Sequence, residues 1–434
     1  MQDDTIFALA TGAGRAAVAV IRISGPAARL ALGALAGWDF QPRHAHYVQF
    51  RSPESGETLD HGLALWFPGP HSATGEDCAE LQIHGGRAVI DAVLSALLAQ
   101  PGLRPAEPGE FARRSMLNGK MDLSQIEGLA DLIDANTAFQ RRQALRVADG
   151  ALRRRTEGWR QALIEAMALV ASDLDFSDEA DVDAISREAL KRGVRPLMAE
   201  LDAALRNAPA SDRLREGFLV LIMGPPNAGK STLLNLLASR DAAIVSEEAG
   251  TTRDLIELLL DMDGLPITLV DTAGLRETSS PVEGLGVARA RARAGDADLI
   301  LWLSPGGREA PPDFGENGVD ILPLASKADV ANGAEGVLAI SCATGLGIEA
   351  LRAEILGRAG KAMGDGSSAL IIRARHRVAI AEARGLLRSA LEEKSLELAA
   401  EDLRLAARAL ARIIGLVDTE ELLDVIFSRF CIGK

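Results

Sequence analysis

The stretch Gly224-Pro225-Pro226-Asn227-Ala228-Gly229-Lys230-Ser231-Thr232 has the spacing G-x-x-x-x-G-K-[ST], that of a loop wrapping a polyphosphate. The backbone N–H groups of such a loop and the positive end of the helix that follows attract phosphate oxygens. Lys230 is the residue type that reaches the outer phosphates, and the Ser231 hydroxyl is a ligand for Mg²⁺. Two later segments belong to the same chemistry. Gly250-Thr251-Thr252 offers Thr252 as a Mg²⁺ ligand in the triphosphate state, and Asp271-Thr272-Ala273-Gly274 places Asp271 to hold the ion through water and the Gly274 N–H to sense a γ-phosphate. Base choice falls to Ser326-Lys327-Ala328-Asp329. Asp329 can accept two hydrogen bonds from guanine N1 and N2, which adenine cannot offer. The usual first residue of that motif is Asn. Ser326 is too short to bridge base and phosphate loop, so reduced affinity with retained guanine preference is expected. Ser341-Cys342-Ala343 fits the loop whose N–H meets guanine O6, with Cys342 contributing its backbone.

The residue after D-x-x-G is Leu275, where Ras-type enzymes carry a Gln that orients the attacking water. Leucine cannot position water, so the help comes from elsewhere. Glu283 is the candidate, against the plainer reading of a solvated helix carboxylate. No arginine beside the phosphate loop is an evident finger. The Asn227 side-chain oxygen can instead help ligate K⁺, neutralising charge that develops during transfer.

These residues need a strand, a turn and a helix to hold them. Phe218 to Met223 is a continuous apolar run that reads as a buried strand, and Leu233, Leu234, Leu236 and Leu237 begin a helix after the loop. Strand patterns at Ile267–Val270, Leu299–Leu303, Ile321–Leu324 and Val337–Ile340, with helical spans between, predict a parallel sheet wrapped by helices over residues 217–360. Residues 1–118 read as an α+β domain, with strands at Ala17–Ile23, Gly62–Phe67 and Cys78–Ile83 and a helix from Ala88 to Ala99. Helical periodicity runs from Lys120 to about Asn207 and from Leu370 to Arg429; Ser211 to Gly217 reads as a charged link and Gly364 to Ser368 as a linker. Helices on both sides of the nucleotide domain need a common core. The expected fold is therefore α/β plus α+β: an N-terminal α+β domain (1–118), a discontinuous helical domain (119–216 and 361–434), and an inserted Ras-like P-loop domain (217–360).

Composition narrows the class. A net charge of −14 argues against a protein coated with basic surface. One local exception runs through Arg141, Arg142, Arg146, Arg153, Arg154, Arg155 and Arg160, either a phosphate-facing patch or a solvated helix face. Three cysteines, Cys78, Cys342 and Cys431, are odd in number and far apart, which suits a reducing compartment. With no signal-peptide pattern and no spanning segment, a cytoplasmic protein without membrane contact is expected. His84, in a turn before a helix, reads as structural. Cys431 has two readings: a small apolar residue finishing a helix, or a thiol activated by Lys434.

The whole chain, finally, resembles the MnmE (TrmE) family of tRNA uridine-modifying GTPases. The likeness is carried by Arg22-Ile23-Ser24-Gly25, Glu80 to Gly86, Pro108 to Phe111, Asn118 to Leu123, Ala130 to Ala135 and the final Cys431-Ile432-Gly433-Lys434, besides the nucleotide motifs. The resemblance implies an N-terminal domain that dimerises and binds a formyl- or methylene-tetrahydrofolate, with contacts at Arg22, Glu80, Lys120 and Lys434. It implies a K⁺ loop at Ser246, Glu247, Glu248, Ala249, Gly250 and Thr251, with Asn227, Ser246, Glu248 and Thr251 as ligands, and Glu283 and Cys431 as catalytic residues. It also implies a homodimer, a heterotetrameric complex with the flavin-dependent MnmG (GidA) protein, and a carboxymethylaminomethyl-type modification at carbon 5 of the wobble uridine (position 34) of certain tRNAs. The alternative is a ribosome-assembly GTPase acting as a timer, which has no need of such flanking domains.

Overall fold

A computed structural model of the chain describes residues 4–12, 14–174, 182–244, 256–271, 295–312, 319–331, 333–364, 370, 373–393, 395–417, 427 and 433. They fall into two compact units, Met1–Glu127 with Ala411–Lys434, and Gly128–Leu410.

The first unit is built on strands β1 (Thr5–Leu9), β2 (Val18–Ser24), β3 (His46–Arg51), β4 (Thr58–Phe67), β5 (Cys78–His84) and β6 (Leu103–Pro105). They form one sheet in the order β3-β4-β5-β2-β1-β6, antiparallel except for the parallel β1–β6 pair. Side chains alternate across a strand, and β2 shows what that does. Ala19, Ile21 and Ile23 are buried against helices α1 (Ala28–Ala36) and α2 (Arg87–Leu98) in the main core. Arg22 and Ser24 therefore face the other way, toward helix α3 (Glu110–Leu117), whose Phe111 packs with Ile6 and Ala8. The α+β expectation holds. Helix α4 (Leu123–Asp134) starts in this unit, where Leu123 and Ile126 pack with Phe427.

The second unit holds helices α5 (Ala138–Ala148), α6 (Ala151–Leu174) and α7 (Val182–Glu216), and the nucleotide sheet: β7 (Phe218–Met223), β8 (Ala242–Ile244), β9 (Ile256–Met262), β10 (Leu265–Asp271), β11 (Leu299–Pro305), β12 (Asp320–Ser326) and β13 (Leu338–Ala339). Helices α8 (Lys230–Arg240) and α9 (Ile348–Met363) cover one face of it. After the sheet come α10 (Ala374–Glu392) and α11 (Leu396–Ala411), and α10 is tied to α7 by Arg384–Asp202 and Arg377–Asp212 at 2.7 and 2.6 Å.

Two expectations change. The sheet order is β13-β12-β11-β7-β10-β9-β8, and β9 runs antiparallel to both β10 and β8, so the sheet is mixed. The missed signal is Asp263-Gly264, both at positive φ (50° and 89°), as a two-residue hairpin with mirror-image turn geometry requires. The supposed charged link at Ser211 to Gly217 is, up to Glu216, the end of α7. Its charges do not mark a loop: Leu214 is buried while Arg213 is paired with Asp298 at 2.5 Å.

Candidate functional site

The strand ends of the nucleotide sheet carry the site. In open α/β sheets of this kind, ligands bind where the carboxyl ends of the parallel strands open into loops. The phosphate loop leaves β7 at Gly224, where φ is +148° and any Cβ would collide with the carbonyl oxygen of Leu303 on the neighbouring strand. Only glycine fits there. Asn227 (φ 60°) and Gly229 (φ 97°, the residue preceding α8) complete the turn in left-handed conformation, and Ala228 is buried beneath it. Lys230 Nζ donates to the carbonyls of Gly224 and Pro225 at 3.0 and 2.9 Å, which holds the ammonium over the loop. Ser231 Oγ donates to Asp271 Oδ2 at 2.7 Å, joining the start of α8 to the end of β10. Asp271 is 1% exposed. A hydroxyl and a carboxylate so joined are hard oxygen donors of the kind Mg²⁺ takes in small number beside phosphate oxygens and water. Thr232 is exposed on the first turn of α8.

The loops that follow β12 and β13 meet at the end of β12. Ala328 N–H donates to the Ile340 carbonyl at 3.1 Å, which brings Lys327 (φ 57°) and Asp329 beside Ser341, Cys342 and Ala343. Ser341 Oγ donates to Asp329 Oδ1 at 2.7 Å and accepts from Thr344 N–H at 3.3 Å. That hydroxyl holds the Asp329 carboxyl below its usual range and fixes its direction. Sequence reasoning took only backbone from the Ser341 loop; a serine at its first position was the overlooked signal. Burial, with the charge of Asp329, raises the Cys342 thiol, consistent with a backbone contributor. Ser326 is 4% exposed and its hydroxyl has no hydrogen-bond partner among the described residues. An Asn side chain would extend further from the same position.

On the first unit, Arg22 and Glu80 stand opposite each other on β2 and β5 and form an ion pair at 2.9 Å. Phe111 lies 6.0 Å from the Arg22 guanidinium. Lys120 Nζ donates to the Pro70 carbonyl at 2.8 Å, so it is held on the loop preceding β5. That loop is pinned by residues the sequence reading passed over. Glu76 accepts from Ser24 Oγ at 2.7 Å and from Arg114, whose side chain is 2% exposed and also bonds Asp4 and Glu110. Gly433 lies against the end of β1: at φ +98° it leaves no room for a Cβ beside the Leu9 carbonyl oxygen. Arg22, Glu80 and Lys120 are charged donors and an acceptor of the kind that hydrogen-bond amides and carboxylates. His84 Nδ1 and backbone N–H both bond Asp60, at 2.8 and 2.7 Å, which ties the end of β5 to β4.

The arginine run divides. Arg153 pairs with Glu157 at 2.8 Å, Arg155 lies over Trp159 and Arg142 over Phe139, while Arg154 donates to the Asp149 carbonyl. Ser246, Glu247, Glu248, Ala249, Gly250, Thr251, Thr252, Thr272, Ala273, Gly274, Leu275, Glu283, Cys431 and Lys434 lie outside the described residues. No described helix is long and apolar enough to cross a membrane.

A phosphate loop with a hydroxyl–carboxylate pair beside it, and a second aspartate held by a serine at the strand ends of the same sheet, form the arrangement of a P-loop GTPase. The pattern of the TrmE N-terminus, described as that of a GTP-binding protein, matches residues 5–120, and that of the MnmE helical domain matches residues 123–431. The tRNA modification GTPase MnmE of Beijerinckia indica is 53% identical over 99% of this chain and 96% of its own length. That of Azorhizobium caulinodans is 52% identical over 99% of both. The chain belongs to the MnmE family and is a GTP hydrolase. Among solved structures, the G domain of the T. maritima FeoB iron transporter aligns at 25% identity over 32% of this chain and 98% of that one, with a TM-score of 0.25.

Proposed function

We propose that this GTPase works in tRNA modification, installing a carboxymethylaminomethyl-type group at carbon 5 of wobble uridine 34 together with a flavin-carrying MnmG-type partner. The observation that carries the reading is a chain matching tRNA modification GTPases over 99% of its length while keeping Ser231 and Asp271 joined at 2.7 Å. In this reading, GTP enters with its base on Asp329 and its phosphates under Lys230. Ser231, Thr252 and Asp271 would hold Mg²⁺, which neutralises charge on the β- and γ-oxygens. Asn227 with Ser246, Glu248 and Thr251 would hold K⁺ in place of an arginine finger. Glu283 orients the water that Leu275 cannot. Two facing copies order the switch segments, and hydrolysis moves the G domains. Arg22, Glu80, Lys120 and Lys434 bind the tetrahydrofolate that supplies the carbon, and Cys431 serves the tRNA chemistry.

Two measurements test this. Mass analysis of tRNA nucleosides from cells lacking the protein is expected to show loss of the modified wobble uridine, restored by the wild-type chain and not by Cys431→Ser, which still hydrolyses GTP. An unchanged nucleoside profile would return the ribosome-assembly reading. Replacing Na⁺ by K⁺ at equal ionic strength is expected to raise GTP turnover by about tenfold or more, the order associated with one positive charge at the transferring phosphoryl group. Equal rates in the two salts would remove the cation from the mechanism.

A further inference from the structure

Residues 141–160 hold seven arginines against Asp149 and Glu157, a net charge of +5 inside a chain of −14. They span α5 and the start of α6, joined by Asp149 and Gly150, the latter at φ 81°. The buried positions decide which side faces outward. Gln143, Ala144 and Val147 on α5 and Leu152, Thr156 and Trp159 on α6 are buried, which leaves Arg141, Arg142, Arg153 and Arg154 exposed. A solvated helix face interleaves opposite charges three or four residues apart, as this chain does with Arg404 beside Glu401 at 2.6 Å and Arg358 beside Glu354. Here that pattern breaks down. Arg141 and Arg142 have no acid three or four residues away on either side, and Arg142 instead has Arg146 one turn on, a like-charge spacing that destabilises a helix. Arg153 pairs with Glu157 at 2.8 Å, whereas Arg141, Arg142, Arg154 and Arg155 pair with no carboxylate among the described residues.

We propose that the outer face of α5 and α6 is the surface on which the phosphate backbone of tRNA docks, an inference that rests on the tRNA reading above. Guanidinium groups suit phosphate because two N–H donors meet two oxygens side by side. Two of them are held in place without spending those donors: the guanidinium of Arg142 lies 4.5 Å from the Phe139 ring centroid, and that of Arg155 lies 5.3 Å from Trp159. Stacking on a ring lowers the freedom that binding must remove. Arg154 is tethered by Nη1 to the Asp149 carbonyl at 2.8 Å. The helix start itself is anchored within the unit, since Gln140 Nε2 donates to the Arg215 carbonyl at 3.0 Å and Phe139 N–H to the Gly264 carbonyl at 3.2 Å. Composition favours RNA over a protein partner. A protein interface is centred on an apolar core, and between Ala138 and Arg160 the exposed large apolar side chains come down to Leu145, at 40%. Phosphate contacts need no such centre. The acidic remainder of the chain repels a polyanion and so directs it to this face.

The triple variant Arg141→Gln, Arg142→Gln, Arg154→Gln removes three exposed cations and keeps good helix formers in their place. Binding of unfractionated tRNA to the purified full-length chain, read by fluorescence anisotropy, is expected to weaken about ten- to hundredfold at about 0.1 M salt. The slope of log K against log salt is expected to shrink by about two to three, the counterions that three phosphate contacts release. GTP turnover stays within about twofold of wild type. Glu157→Gln tests the opposite sign: it frees Arg153 from its carboxylate, so tRNA binding is expected to tighten by about threefold, a gain that a damaged fold does not produce. Affinity and slope unchanged in the triple variant overturn the inference. So does tRNA binding retained while modified nucleoside is lost in complemented cells, which gives the face to a protein partner. A wild-type chain that binds no tRNA at about 0.05 M salt overturns it as well. The tRNA reading itself is decided separately, by the nucleosides of cells lacking the protein.

Discussion

Asp271→Asn is expected to reduce GTP turnover by the full-length chain about a thousandfold, a loss of about 4 kcal/mol of transition-state stabilisation. Asparagine keeps an oxygen that can accept the Ser231 hydroxyl, which Asp271 accepts at 2.7 Å, so the joint between α8 and β10 survives. What disappears is the negative charge of a group that is 1% exposed. In the proposed mechanism that charge, in a site sheltered from water, draws Mg²⁺ far more strongly than a surface carboxylate would. Initial rates over a range of Mg²⁺ concentrations check this: a variant within a few-fold of wild type at all concentrations would take Asp271 out of the ion's environment. An apparent Mg²⁺ requirement moved upward, with melting temperature unchanged, is the pattern that loss of charge without loss of fold predicts.

The second large effect concerns the base. Asp329→Asn is expected to lower kcat/KM for GTP by about a hundredfold or more, since guanine loses both the charge and the second acceptor that its N1 and N2 donors would meet. Ser341 decides how the new amide sits. Its hydroxyl donates to Oδ1 of Asp329 at 2.7 Å, so the amide oxygen of the variant takes that bond and the N–H₂ faces the base. Guanine presents its own N–H₂ there, and two donors meet. Xanthine presents a carbonyl at the same carbon, so XTP turnover is expected to rise relative to GTP. Measuring kcat/KM for both nucleotides with one variant settles the point, because misfolding lowers both and leaves their ratio unchanged. A ratio equal to that of wild type would mean that Asp329 does not read the base.

Much of this site was legible because it is local in sequence. A phosphate loop is nine consecutive residues whose turn, charge and helix start are set by neighbours, so Gly224, Gly229, Lys230 and Ser231 could be named before any fold was known. Strands buried on both faces read as continuous apolar runs, and Phe218 to Met223 was found to its ends. β9 was not, because Ile256–Met262 begins soon after the segment read as offering Thr252 to Mg²⁺, and its apolar run was attributed to nothing. The end of α7 was misread for a different reason: charge was taken as exposure, although Arg213 and Asp212 face partners 85 and 165 residues away in sequence.

From the sequence alone came the nucleotide chemistry, the family and the residue types at each motif, since backbone conformation and ligand reach over a few residues are short-range properties. Tertiary structure alone decided three things: that Ser341 aims Asp329, that Arg22 is already paired with Glu80 across two strands, and that the start of α5 bonds both Arg215, through the Gln140 amide, and Gly264, through the Phe139 N–H. Each depends on groups remote in the chain coming within about 3 Å, the range over which a hydrogen bond acts. Spacing along a sequence carries no information about that distance until the sheet and helices have set it.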